Sequence, residues 1–195
     1  MKNKRGFTFL GMFFVLTFLF VFTGGAQPLF PYSGGMPPKP GTHAPIITSS
    51  FAVEKAYYGY IWKIYLEAED PDGDMLRIAS VVDQVGAGHY PTDWIYLKSQ
   101  YGKHFRGYIQ WNTYSSQAGY LPEWTTLTLQ VSVLDKAGNE SNTVVFPFTF
   151  ELVKDPYKYR LPASFDGGEL PKLGNVTIDL RNADDSYMAD GSRFD

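Results

Sequence analysis

The chain is 195 residues long, carries 17 Lys and Arg against 20 Asp and Glu for a formal charge of −3, and contains no cysteine. The missing thiol excludes cysteine catalysis, cysteine-ligated zinc or iron–sulfur centres, and a lipid anchor on a cysteine thioether. The acidic balance argues against nucleic acid or anionic lipid as a partner, because both reward a basic face.

The first element is an apolar run, Phe7 to Phe22, behind Lys2, Lys4 and Arg5 and ahead of Thr23-Gly24-Gly25-Ala26. A basic start, an apolar middle and a small-residue exit are the three parts of a secretory signal. Cleavage after Ala26 places Gly24 and Ala26 at the two positions that must be small, so residues 1–26 are expected to be removed. The alternative is an uncleaved anchor. Sixteen helical residues rise roughly 24 Å against a hydrocarbon core of about 30 Å, which is short for a span. Removing Lys2, Lys4 and Arg5 takes the 17 basic residues to 14 against 20 acidic, a balance of −6. No later stretch approaches the length of a membrane helix. The expected destination is the periplasm, the cell surface or the extracellular medium. Export without disulfides favours a bacterial envelope, because many exported eukaryotic modules are stapled. The sequons at Asn139 and Asn175 matter only in a glycosylating host.

Residues 27–43 carry Pro28, Pro31, Pro37, Pro38 and Pro40 with Gly34, Gly35 and Gly41. Neither a helix nor a ladder tolerates that density, so a solvated, partly extended linker is expected. From Ala44 to Lys154 the pattern is strand, turn, strand. Ile46–Val53 is the first strand. In Ile61–Glu69, Trp62, Ile64, Leu66 and Ala68 share one face, and Ile61, Lys63, Tyr65, Glu67 and Glu69 the other. This is the period of two of a half-buried strand. The turn Asp70-Pro71-Asp72-Gly73-Asp74 follows. Met75–Val82, Trp94–Lys98 and Phe105–Asn112 are the next three. Thr125–Leu134 alternates most clearly, with Leu127, Leu129, Val131 and Val133 inward. In Thr143–Val153, Phe146, Phe148, Phe150 and Leu152 share a face. Pro147 lies between them and lacks an N–H, so that strand should be an edge there, or bulged.

Seven strands in roughly 110 residues have the dimension of a two-sheet antiparallel sandwich of immunoglobulin type. The predicted fold is therefore all-β, a seven-stranded immunoglobulin-like sandwich over residues 44–154. After it, residues 155–195 are expected to form a loose tail with one short strand, Asn175–Leu180, that adds to an edge or waits for a partner. Asn182–Asp195 are polar and expected to be mobile.

Two segments resemble known modules. Leu66-Glu67-Ala68-Glu69-Asp70-Pro71-Asp72-Gly73-Asp74-Met75-Leu76 is similar to the loop after the second strand of cadherin-like, dystroglycan-type domains. Val131-Ser132-Val133-Leu134-Asp135-Lys136-Ala137-Gly138-Asn139-Glu140-Ser141 resembles the last hairpin of bacterial immunoglobulin-like domains. The resemblance covers residues 44–153. It implies a spacer or binding unit in adhesins, surface layers, polysaccharide-active enzymes or exported assembly factors, and rarely a catalyst. Surface adhesins tend to string many copies together, whereas this chain has one.

Two groups of side chains are candidate sites. Glu69, Asp70, Asp72 and Asp74 place four carboxylates within six residues. Close carboxylates repel unless a proton or cation intervenes, and calcium takes six to eight oxygens. Asp135 and Asn139 can add ligands if the fold brings both loops to one end. The competing reading is a solvated turn built from Pro, Gly and Asp. The later Glu of an EF-hand is missing. The second group is aromatic: Tyr57, Tyr58, Tyr60, Tyr90, Tyr101, Tyr114, Tyr120 and Trp124 lie in turns or near strand ends. Such rings anchor protein interfaces and stack on sugars, or merely cap the ends of the sandwich.

His43, His89 and His104 are widely separated, with no metal-ligand spacing. No Gly-x-Ser-x-Gly occurs, and nothing places two carboxylates across a cleft. The chain is therefore read as a non-enzyme with no cofactor beyond calcium. The expected function is a non-catalytic exported binding or adhesion module at the cell envelope, with an envelope protein or a glycan as partner. The alternatives are a carbohydrate-recognition module and a structural subunit of a surface assembly, self-associating through the last strand.

Overall fold

The computed structural model describes residues 40–152 and 159–182. The signal at 1–26, most of the linker, and the polar terminus from 183 onward lie outside the described residues. Among the described residues no helix is long and apolar enough to cross a membrane.

The described residues are all-β, and their strands form two sheets. They are β1 (Ile46–Ala52), β2 (Lys55–Ala56), β3 (Ile61–Glu69), β4 (Met75–Gln84), β5 (Gly88–His89), β6 (Asp93–Tyr96), β7 (His104–Asn112), β8 (Thr126–Asp135), β9 (Val144–Phe150) and β10 (Lys172–Val176). One sheet has the order β1-β3-β7-β10, the other β2-β9-β8-β4-β5, with β6 also paired to β4. Both sheets are mixed, since β10 runs parallel to β7 and β2 parallel to β9. A 3₁₀ turn, Ser99–Tyr101, precedes β7.

Alternation in the sequence becomes inside and outside. Trp62, Ile64, Leu66 and Ala68 of β3 are fully buried, as are Leu127, Leu129, Val131 and Val133 of β8. The core centres on Trp62, whose ring lies 4.5 Å from Phe148 of the facing sheet and 6.0 Å from Trp111 of its own. Buried indoles need a partner for their N–H. Trp62 Nε1 donates to the Val53 carbonyl at 2.9 Å and Trp111 Nε1 to the Ile178 carbonyl at 3.0 Å. Pro147 sits where β9 has β8 on one flank only, because β2 pairs with Thr149 and Phe150 alone. An edge was the place expected for a residue without an N–H.

Three expectations need correction. Nine strands stand among the described residues of the 44–154 region, not seven. The additional ones include β2 and β5, which at two residues each are too short to carry a period. The last phenylalanine strand ends at Phe150, and Leu152, expected inward, is 74% exposed. The segment around 160–182 is no loose tail. Its strand lies at Lys172–Val176, earlier than the predicted 175–180, and it is the fourth strand of a sheet. Phe165, Leu173, Val176 and Leu180 are buried. The predicted parity of Val176 and Leu180 was right, but the ladder stops at Val176 because side chains take over. Thr177 N–H donates to Asp93, and the carbonyls of Ile178, Leu180 and Arg181 accept from Trp111, Ser115 and Gln84.

Candidate functional site

The two candidate groups occupy opposite ends of the sheets. At one end Glu69 pairs with His104 and Met75 with Asp135. At the other Ile61 pairs with Asn112, Thr126 with Thr149, and Lys55 with Thr149.

The acidic end brings together Asp70, Asp74 and Asp135, with carboxylate oxygens all within 4.8 Å of one another. Asp70 and Asp135 are buried, at 1% and 3% exposure. Each is held by local backbone. Asp70 accepts from the N–H groups of Asp72 (3.0 Å) and Asp74 (3.1 Å), and Asp135 from those of Gly138 and Asn139, both 2.7 Å. Asp74 Oδ1 is buried and has no hydrogen-bond partner. Burial pushes the Asp74 carboxyl above the usual carboxylate value, and a hydrogen bond with Asp70 and the charges of Asp135, Asp70 and Asp72 push it the same way. The donor set is all oxygen and suits a hard cation such as calcium, to which these three carboxylates would contribute part of the six to eight ligands. A proton shared between Asp70 and Asp74 relieves the same repulsion.

The other residues of the predicted set have different duties. Glu69 is exposed on β3. Asp72 turns to His43, accepting from its backbone N–H at 2.6 Å and lying 2.9 Å from its Nδ1. That bond raises the His43 pKa and lowers that of Asp72. Asn139 is buried, and its amide donates to Asp135 at 2.6 Å and to Thr42 Oγ1 at 3.1 Å. His89 pairs with Asp83 and His104 with Glu67, so each histidine meets a different carboxylate at the surface.

The other end is aromatic. Tyr57 and Tyr60 meet edge to face at 5.6 Å. Tyr58 is a hub: its ring contacts Tyr114 at 5.8 Å, Tyr120 at 5.9 Å and Phe150 at 6.0 Å, and its hydroxyl accepts from the Ser115 N–H at 3.0 Å. Around it Tyr114, Tyr120 and Trp124 are 60%, 65% and 68% exposed. Trp124 has φ 70°, and it is the single non-glycine residue with positive φ among the described residues. A cleft of about 310 Å³ opens on the outer side of β1 and β3, lined by Phe51, Tyr57, Tyr60, Lys63, Tyr65 and Tyr159 among others. Lys63 Nζ stands 4.7 Å from the centre of the Tyr108 ring.

Six of the eight predicted aromatic residues therefore gather at one end: Tyr57, Tyr58, Tyr60, Tyr114, Tyr120 and Trp124. Two do not. Tyr90 is buried, its hydroxyl donating to Gln84 Oε1 at 2.6 Å and accepting from the Arg181 N–H at 2.8 Å. Tyr101 packs on the core from the 3₁₀ turn. Phe51, Tyr65 and Tyr159 join the cleft although sequence reasoning did not single them out. Tyr65 carried a signal, an aromatic on the outward parity of β3; Tyr159 carried none, because it lies beyond the alternating region. No protein-family model matches the chain, and no curated protein matches it.

Proposed function

We propose that this chain is a non-catalytic, exported, immunoglobulin-like binding module of a bacterial envelope, and that the tyrosine-rich end is its contact surface. Trp124 carries the reading. A left-handed backbone costs an ordinary residue about 1–2 kcal/mol, and a bulky side chain there is a true outlier. Here the ring earns back little by burial, being 68% exposed. Strain without a packing return points to a role outside folding. Tyr114 and Tyr120 pack on Tyr58 at the same end yet stay mostly exposed, and Tyr and Trp offer large rigid contact area at low entropic cost. The partner is an envelope protein or a glycan. The cleft beside Tyr57 and Tyr60 favours the glycan, because rings set in a concave wall can stack on sugar faces.

The test is a glycan array run beside capture from the source's own envelope, comparing wild type with Tyr57→Ala/Tyr120→Ala/Trp124→Gly. Loss of a bound species in the variant, with an unchanged melt, supports the proposal. Equal capture by both proteins would refute it.

A further inference from the structure

The carboxy-terminal segment sits in its groove as a bound peptide sits on a receptor. Strands β1, β3 and β7 follow one another antiparallel, and β10 then arrives from far along the chain and runs parallel to β7. The groove it fills lies between β7 and β6. Its floor is shaped for a backbone: a Cβ on Gly107 would stand 2.5 Å from the Pro171 carbonyl oxygen, and one on Gly174 would collide with Ile95.

The hydrogen bonds say the same. Tyr108 N–H donates to the Pro171 carbonyl at 3.0 Å. Trp111, Ser115 and Gln84 donate to the carbonyls of residues 178, 180 and 181, and Asp93 and Tyr90 accept from the N–H groups of residues 177 and 181. Among the bonds between this segment and the groove's side chains, the Thr177 hydroxyl to Asp93 is the one that uses a side chain of the segment. Leu173, Val176 and Leu180 supply the apolar pegs. Backbone bonds for affinity and pockets for spaced side chains are the marks of strand addition. The approach to the strand carries Pro162, Gly167, Gly168 and Pro171, and both glycines hold positive φ values, 122° and 157°.

We propose that residues 172–181 are an exchangeable strand, and that a second copy of this chain supplies it to the groove. Every contact above is the same whether the segment comes from its own chain or from a neighbour, so exchange costs no interface. What favours the closed monomer is the tether, which holds the segment at an effective concentration in the millimolar range. Crowding of copies on an envelope competes with that directly. Reciprocal exchange closes a dimer; serial exchange builds an open fibre. The crowding rests on the envelope reading proposed above; the exposed rings are separate from the strand's seat on β7, although its far end, the Leu180 carbonyl, is held by Ser115 beside Tyr58.

The absence of native cysteine makes the test clean. Gln110 and Asn175 are register partners across β7 and β10. Full-length chains carrying Gln110→Cys alone are mixed with chains carrying Asn175→Cys alone, refolded together over a range of concentrations, and oxidised. Exchange predicts the mixed disulfide several-fold above either homodimer, growing with concentration. A mixed product no more frequent than the homodimers would overturn the proposal. The double variant in one chain gives the second arm. Oxidised, it locks the strand in place and should stay monomeric by light scattering where the reduced form associates. Association that is equal in both states would also overturn it. The locked protein should still bind through its tyrosines, so failure here and failure of the binding-module reading are separable.

Discussion

Gly107→Ala is the sharpest perturbation of the carboxy-terminal strand. The new methyl would lie 2.5 Å from the Pro171 oxygen and 3.0–3.1 Å from Cγ and Cδ2 of Leu173. A leucine tip can turn away; a backbone carbonyl in a ladder cannot. Forcing a methyl into a packed site costs about 1–3 kcal/mol. Displacing the Pro171 carbonyl also weakens the bond it accepts from Tyr108, worth about 0.5–1.5 kcal/mol net. Against this stands the burial of Leu173, Val176 and Leu180, about 1.5–3 kcal/mol each. The strand should therefore stay seated but loosened. With about 2–4 °C of melting temperature per kcal/mol for a chain of this size, a fall of roughly 5–15 °C is expected. Hydrogen exchange at residues 172–181 should rise more than in β8. Gly119→Ala is the control: nothing lies within 4 Å of its added methyl, so its melt should match wild type or slightly exceed it. If Gly107→Ala melts with the wild type, β10 does not lie on β7 in solution, and the sheet order given above is wrong.

Trp124→Gly should melt no lower than wild type, because relief of the left-handed strain offsets the extra freedom glycine gains when unfolded, about 0.4–1 kcal/mol; a clear loss of stability would show the ring to be structural. The acidic cluster gives a prediction with a definite sign. The Asp74 carboxyl is raised from 3.8 in the folded state, so its contribution to stability is complete below that value and is lost as pH rises through the raised one. If the cluster takes a cation at neutral pH, 10 mM calcium at a Kd of about 10⁻⁴ M would add about 2.7 kcal/mol. Differential scanning with EDTA or calcium should show that gain in wild type at neutral pH. In Asp74→Asn the melt should be higher in EDTA and indifferent to calcium. A wild-type melt that ignores EDTA and calcium alike assigns the cluster a shared proton instead.

The sandwich was legible where burial has a period. In β3 and β8 each inward residue of the alternation is buried, because a strand with one face on the core has a single register that keeps its apolar set dry. The acidic and aromatic ends were legible as residue types, and the fold then sorted them by geometry. Asp72 looked like a ligand but is engaged by His43, 29 positions earlier. Tyr90 looked like a surface ring because it follows a glycine-rich turn, yet its hydroxyl completes a buried network with Gln84 and Arg181. Both partnerships are long-range or tertiary, and no local pattern encodes them. The last strand was misplaced for a related reason. Leu173-Gly174-Asn175 has no alternation, and its seat depends on the missing side chain of Gly107 and on Ile95.

The arrangement of the two ends has a functional logic of its own. The described chain enters the domain at the acidic end, where Asp72 holds the His43 N–H and ring and Asn139 holds the Thr42 hydroxyl and the His43 carbonyl. Asn139 is in turn fastened to Asp135, a member of the carboxylate cluster. A proton or cation that settles the cluster therefore also fixes the point of entry. The nine residues of β3 separate that point from the tyrosines, a span of about 30 Å at 3.3 Å per residue. A domain tethered at its acidic end thus carries Tyr57, Tyr120 and Trp124 at the far end. The groove for β10 runs along the flank between them, beside β7. The strand's end meets the tip at Ser115, which holds Leu180 on one side and Tyr58 on the other, so an exchanged strand that keeps these bonds also keeps the exposed rings of Tyr57, Tyr120 and Trp124 in place on each copy.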